Sequence, residues 1–190
     1  MTSRRELTRA RRAEARDRIV GATERLLQSH DFRDLTVDDV MAEAGLSRTV
    51  FYRHFDGLPQ VVLALLGRIE ADLEQQIPPG PADEQWMQTM LTIAVDVFAD
   101  HARFLRALDD AASHDAEIEA AWRAFVTRWV DETAALLPPT EECYELARAL
   151  NLMNVRYLME TLGQDPTFDR ELARSTLLAV WSAVARSLLE

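Results

Sequence analysis

The sequence predicts an all-α protein of about nine helices, on three observations. Apolar residues recur three, four and seven positions apart through long stretches. No stretch alternates polar and apolar residues as a half-buried strand does. The six glycines and seven prolines gather between the periodic runs.

The elements follow in order. Ile19, Val20, Thr23, Leu26 and Leu27 share one helical face, so a first helix is expected from about Thr8 to Ser29, ended by His30-Asp31-Phe32-Arg33-Asp34. Thr36 then reads as an N-cap, with Asp38 and Asp39 in a first turn where the helix dipole favours acids. Val37, Val40, Met41 and Ala44 give that second helix about two turns, and Gly45 supplies a left-handed residue to end it. Ser47 caps a third short helix reaching about Phe55. Asp56-Gly57-Leu58-Pro59 opens a fourth to about Gln76, and Pro78-Pro79-Gly80-Pro81 is the clearest breaker in the chain. A long helix from about Asp83 should reach Asp100-His101, followed by a short one ending near Ser113. Ala116 to Leu137, stopped by Pro138-Pro139, and Glu141 to Leu162, stopped by Gly163 and Pro166, come next. Thr167 to Leu189 is the last.

The formal net charge of −11 is unevenly spread. The first eighteen residues hold seven arginines against three acids, and the first 56 carry +1, so the remainder carries −12. Basic charge is concentrated where a polyanion would be met, and the acidity belongs to the later part. No apolar run approaches the roughly 20 residues that span a bilayer, and the Arg-rich start lacks the apolar segment of a signal peptide. No membrane association is expected. The single cysteine, Cys143, forms no internal disulfide, which suits a reducing cytoplasm.

The segment Thr36-Val-Asp-Asp-Val-Met-Ala-Glu-Ala-Gly-Leu-Ser-Arg-Thr-Val-Phe-Tyr-Arg-His-Phe55 carries the most information. Two short helices joined by a glycine turn make a helix-turn-helix, whose second helix can enter a major groove. On spacing alone, an ordinary pair of short core helices fits as well.

Thr36, the Ala44-Gly45-Leu46-Ser47 turn and Phe51-Tyr52-Arg53-His54-Phe55 resemble the N-terminal signature of the TetR family of bacterial regulators in type and spacing. The resemblance implies that residues 1–56 are a DNA-binding domain and 57–190 a ligand-binding and dimerisation domain. It places Arg48, Thr49 and Arg53 on the groove-facing side of the third helix. Tyr52, His54 and Thr36 would meet phosphates, and Phe51 and Phe55 would pack inward. The arginines before Arg18 would serve either as a flexible arm reaching the DNA or as a solvated tail. Two positions depart from the pattern. Val50 stands where the family often has a small polar residue, and Leu58 where it often has lysine.

Trp122, Phe125, Val126 and Trp129 form one face of a helix, and Asn151 and Asn154 share a face of the next amid Leu150, Met153, Tyr157 and Leu158. By itself this is either a packed core whose asparagines bond backbone or the wall of a pocket. The run Trp122 to Trp129 and the run Leu146 to Arg156, with Trp181 on the last helix, resemble the EthR-like subgroup of that family. The resemblance implies a pocket for a lipophilic small-molecule effector, walled by Met87, Leu91, Phe98, Trp122, Phe125, Val126, Trp129, Asn151, Asn154 and Trp181. An apolar wall with one or two amides suits a neutral elongated ligand, because desolvation drives binding and an amide orients it.

Leu177-Leu-Ala-Val-Trp-Ser-Ala-Val184 is apolar nearly all round, which predicts a helix covered on two sides: its own core and a twofold mate. The last two helices are therefore expected to pair in a homodimer. The four histidines share no metal-ligand spacing, and neither a phosphate-binding glycine loop nor a nucleophile elbow is present. His101 and His114 with Asp109, Asp110 and Asp115 read as an acidic helix-turn surface. No catalytic residue, metal or cofactor is expected. The sequence thus predicts a homodimeric repressor that binds a palindromic double-stranded DNA operator and is released by a lipophilic effector. An all-α lipophile carrier without DNA affinity is the rival.

Overall fold

The computed structural model describes residues 4–77, 84–165 and 167–189, and among them there are eight α-helices, one 3-10 turn and no strand. The helices are α1 (Arg4–Leu27), α2 (Val37–Ala44), α3 (Arg48–Phe51), α4 (Leu58–Gln76), α5 (Glu84–Ala112), α6 (Ala116–Ala134), α7 (Glu141–Thr161) and α8 (Arg170–Leu189), with a 3-10 turn at Phe32–Asp34. The all-α expectation stands. The breaker at 78–81, the expected start at Asp83 and the stop at Pro166 lie outside the described residues.

One boundary differs for a physical reason, and one break falls where it was expected. The basic N-terminal segment is helical from Arg4, which corrects the flexible-arm expectation. Residues 4–20 contain no glycine or proline and are rich in Arg and Ala, both strong helix formers, so the helix runs on past its apolar face into solvent. The two helical stretches expected on either side of His101 are present, and they are counted together as α5 across a kink where His101 leaves helical geometry (φ −116°, ψ 15°). The periodicity located that break correctly.

The helix ends follow the sequence closely. Thr36 Oγ1 accepts from Asp39 N at 3.2 Å while Asp39 Oδ2 accepts from Thr36 N at 3.0 Å, a reciprocal capping box. Gly45 ends α2 in the left-handed region (φ 63°, ψ 38°), and the Leu46 N–H reaches back to the Met41 carbonyl. Ser47 has N-cap backbone geometry without a side-chain bond. Residues 52–55 continue α3 as turns, held by His54 N to Phe51 O (2.8 Å) and Phe55 N to Phe51 O (3.0 Å).

The chain divides into two compact units, Met1–Arg68 with Ala107–Glu119, and Ile69–Arg106 with Ala120–Glu190. In the first, α1 packs on α2 and α2 on α3. Its core gathers Ile19, Val20 and Ala22 of α1, Val40 and Met41 of α2, Phe51 and Phe55, and Val61, Val62 and Leu65 of α4. Burying side chains of this size contributes about 1.5–3 kcal/mol each, which is what fixes helices as short as α2 and α3. Arg18 Nη2 donates to the Ala44 carbonyl (2.7 Å) and Arg25 Nε to Glu43 Oε1 (2.6 Å), joining α1 to the end of α2. Arg33 pairs with Asp110 at 3.2 Å within the same unit.

In the second unit α7 packs on α8. Leu91, Val95, Phe98, Phe104 and Leu105 of α5, Phe125 and Val130 of α6, Leu150 and Leu158 of α7, and Leu177 of α8 are buried. Arg170 and Arg174 of α8 pair with Asp96 of α5, and Arg170 also with Asp100. Thr140 caps α7 by accepting from Cys143 N.

Candidate DNA-reading helix and ligand cavity

Helix α3 has two unlike faces. Phe51 and Phe55 are buried, at 0% and 4% exposure, and Phe51 meets Phe55 at 5.8 Å between centroids. Arg48, Thr49, Tyr52 and Arg53 are all in solvent, and Tyr52 is 50% exposed. Phe51 and Phe55 lie four residues apart and so share the inward face, which leaves Tyr52 and Arg53, one and two positions on from Phe51, turned outward. Val50 and Leu58 are half-buried.

The exposed residues are organised among themselves. Arg48 Nη1 donates to Asp38 Oδ2 at 2.7 Å and Arg48 Nη2 to the Tyr52 hydroxyl at 3.2 Å, with the guanidinium 5.7 Å from the Tyr52 ring centroid. The Thr36 hydroxyl donates to Asp39 Oδ2 at 2.5 Å, so it is already engaged in the cap. That hydrogen bond, with the bond from the Thr36 backbone, holds the Asp39 carboxyl below its ordinary value.

The sequence did not single out Arg12 and Arg16. Arg12 Nη2 donates to the Arg53 carbonyl at 3.1 Å, and the Arg16 guanidinium lies 5.3 Å from the Phe55 ring centroid. The middle of α1 and the turn after α3 therefore share a basic cluster of Arg12, Arg16 and Arg53 around half-buried His54. Burial holds the His54 imidazole below its ordinary value, and these three arginines push the same way. The charge excess of the first eighteen residues was the available signal. Its placement required knowing that the segment is a helix.

The second unit contains a cavity with about 140 Å³ open to the centre of a water molecule. Space of that size accepts on the order of ten water-sized groups. Nine of the ten residues expected in its wall are there: Met87, Leu91 and Phe98 of α5, Phe125, Val126 and Trp129 of α6, Asn151 and Asn154 of α7, and Trp181 of α8. Trp122 lies outside the wall, stacked on Phe125 at 5.4 Å and 11°. The reading missed Leu73 and Ile77 from the end of α4, Trp86, Met90, Ala94 and Val97 from α5, and Glu132 and Thr133 from α6. Among the described residues of the lining Glu132 alone is ionisable, and it is exposed.

Two buried amides are fixed by their partners. The Trp181 indole only donates, so its 3.0 Å bond to Asn154, a residue of the cavity wall, assigns Oδ1 to the indole and leaves the NH2 out of that bond. Asn151 Nδ2 donates to Thr133 Oγ1 and to the Ala147 carbonyl, both at 2.9 Å, which leaves its own Oδ1 as acceptor. The wall thus offers one donor amide and one acceptor amide, one helical turn apart, in an aromatic and aliphatic surround.

Among the described residues no group of three or more His, Cys, Asp or Glu could hold a metal ion, and no helix is long and apolar enough to cross a membrane.

Residues 19–65 match the family model of bacterial regulatory proteins of the TetR family, and residues 86–185 match that of the C-terminal domain of the transcriptional regulator EthR. The chain is 32% identical over 179 residues to the HTH-type transcriptional regulator EthR of Mycobacterium tuberculosis, covering 86% of this chain and 83% of that protein. It is 30% identical over 178 residues to EthR of Mycolicibacterium smegmatis, covering 86% and 82%. A solved TetR-family structure from Rhodococcus sp. superposes with a TM-score of 0.73 at 20% identity, over 90% of this chain and 98% of that one. These relatives are transcriptional regulators and not enzymes. This chain belongs to the TetR family of helix-turn-helix transcriptional regulators, in the group that carries an EthR-type C-terminal domain.

Proposed function

We propose that this regulator is a repressor that binds a palindromic operator as a homodimer and is released by a lipophilic small molecule. The observation that carries the DNA half is the division of α3, with Phe51 and Phe55 buried and Arg48, Thr49, Tyr52 and Arg53 in solvent. Residues 1–56 form the reading head. Arg48, Thr49 and Arg53 address base edges or phosphates, and Tyr52, His54 and the capped start of α2 at Thr36 address phosphates. Residues 57–190 hold the effector and the dimer surface. The exposed Tyr144 and Leu152 of α7 and Leu172 and Val180 of α8 support pairing through the last two helices. Two heads would then meet half-sites roughly 34–36 Å apart. A protein whose target is bacterial DNA works in the cytoplasm.

The effector occupies the cavity, and the two amides choose its polar end. A neutral lipophile with a carbonyl satisfies the Asn154 NH2, which would otherwise face hydrocarbon at a cost. Effector and operator affect each other through one coupling: whatever factor the ligand removes from DNA affinity, DNA removes from ligand affinity, typically about 5–150-fold.

The test is nuclease protection of the DNA upstream of the protein's own gene, repeated with neutral lipophiles. A protected palindrome that a lipophile uncovers is the expected result. Lipophile binding without any sequence-selective DNA binding would identify a carrier instead.

A further inference from the structure

Asp38 is an acid on the face proposed to meet a polyanion. It is the second residue of α2, its side chain is 66% exposed, and its carboxylate holds Arg48, the first residue of α3. An exposed ion pair of this kind contributes little to the stability of a fold. A carboxylate there also works against DNA affinity, because every nearby phosphate repels it.

The effect on Arg48 is large in geometry. A guanidinium has five N–H groups in one plane. Here one Nη1 proton goes to Asp38 at 2.7 Å and one Nη2 proton to the Tyr52 hydroxyl at 3.2 Å, so the plane is held at two corners and three N–H groups remain. Guanine presents N7 and O6 side by side in the major groove, and a planar donor pair fits them. A free arginine follows a phosphate as readily as a base edge. One tied to a carboxylate has its charge partly neutralised and its direction set.

We infer that Asp38 is a specificity-determining positioning residue: by anchoring Arg48 toward one guanine in each half-site, it weakens the hold on arbitrary DNA and sharpens the choice of sequence. This rests on the reading of α3 as the DNA-reading helix. It exchanges raw affinity for discrimination, the usual use of a repulsive group at an interface.

The experiment is enrichment of a random duplex library by the full-length protein and by its Asp38→Asn, Asp38→Ala and Arg48→Ala variants. Affinity for one random-sequence duplex is measured alongside. The wild type should select a motif with one dominant guanine per half-site. Both Asp38 variants should keep the rest of the motif, lose about tenfold preference at that position, and bind the random duplex roughly two- to threefold tighter. In the Arg48→Ala background, adding Asp38→Asn should change nothing further at that position. An unchanged motif in both Asp38 variants overturns the inference while leaving the DNA-reading helix intact. So does a loss spread over every position together with reduced helix content, which would mark Asp38 as a capping residue only. A wild type that enriches no motif defeats the reading of α3 itself, and this inference with it.

Discussion

The Trp181 indole donates to Asn154 Oδ1 at 3.0 Å across the α7–α8 packing, and that one bond fixes which end of the asparagine is already engaged. Because the indole has no acceptor, the amide cannot turn without losing the bond, and its NH2 stays free of the indole.

Asn154→Leu should therefore separate ligands by chemistry and not by size. In competition against a neutral lipophilic fluorophore such as Nile red, a fatty amide should weaken about fivefold, the worth of one net hydrogen bond of about 1 kcal/mol. An alkane of equal length should be unaffected or bind slightly better. Trp181→Phe, which frees the amide to rotate, should cost the fatty amide less than Asn154→Leu does. Equal losses for amide and alkane would show that Asn154 only packs.

Gly45→Ala should destabilise the helix-turn-helix by about 1–2 kcal/mol, read as a lower urea midpoint. At φ 63° a side chain is strained whatever the space around it. The added Cβ would also stand 3.1 Å from Arg18 Nη2, the group that bonds the Ala44 carbonyl. Gly21→Ala, in a helix interior with ordinary spacing to its neighbours, should be neutral or stabilising.

His54 gives a pH dependence with a definite sign. Its imidazole is held below its ordinary value by burial and then by Arg12, Arg16 and Arg53, so the unfolded chain binds the proton more readily than the folded one. Stability at this site is complete above the ordinary histidine value and falls as pH drops through it toward the lowered folded value. Urea midpoints at pH 7.5 and pH 5.5 should differ less in His54→Gln than in the wild type. A larger difference in the variant would contradict the assignment.

The sequence made the helix order legible because caps and breakers are local. Thr36, Gly45 and Gly163 act through their own backbone and their nearest turn. The full length of α1 was less legible for a physical reason. Periodicity reports which face is covered, and it is silent where a helix is exposed nearly all round, as at Arg4 to Arg18.

The cavity divides the same way. The stripe Trp122, Phe125, Val126 and Trp129 was visible as one face, but whether its members line a void or fill it depends on partners from other helices. Trp122 stacks on Phe125 and closes nothing, whereas Leu73 and Ile77 at the end of α4 reach the wall from a helix that carried no functional signal. Likewise the family signature singled out Arg48 and Tyr52 one by one. Their joint capture by Asp38 is a property of two helices meeting, which no single stretch of sequence displays.

The central claim is sequence-selective DNA binding through α3, and the most direct measurement is affinity for the protein's upstream DNA across a salt series, for the wild type and for Arg48→Ala combined with Tyr52→Phe. The account predicts selective binding with a steep salt slope in the wild type. In the double variant, selectivity over scrambled DNA should fall by about tenfold or more, and the helix content should be unchanged. Equal affinity of the wild type for upstream and scrambled duplexes, or a double variant as selective as the wild type, would contradict it.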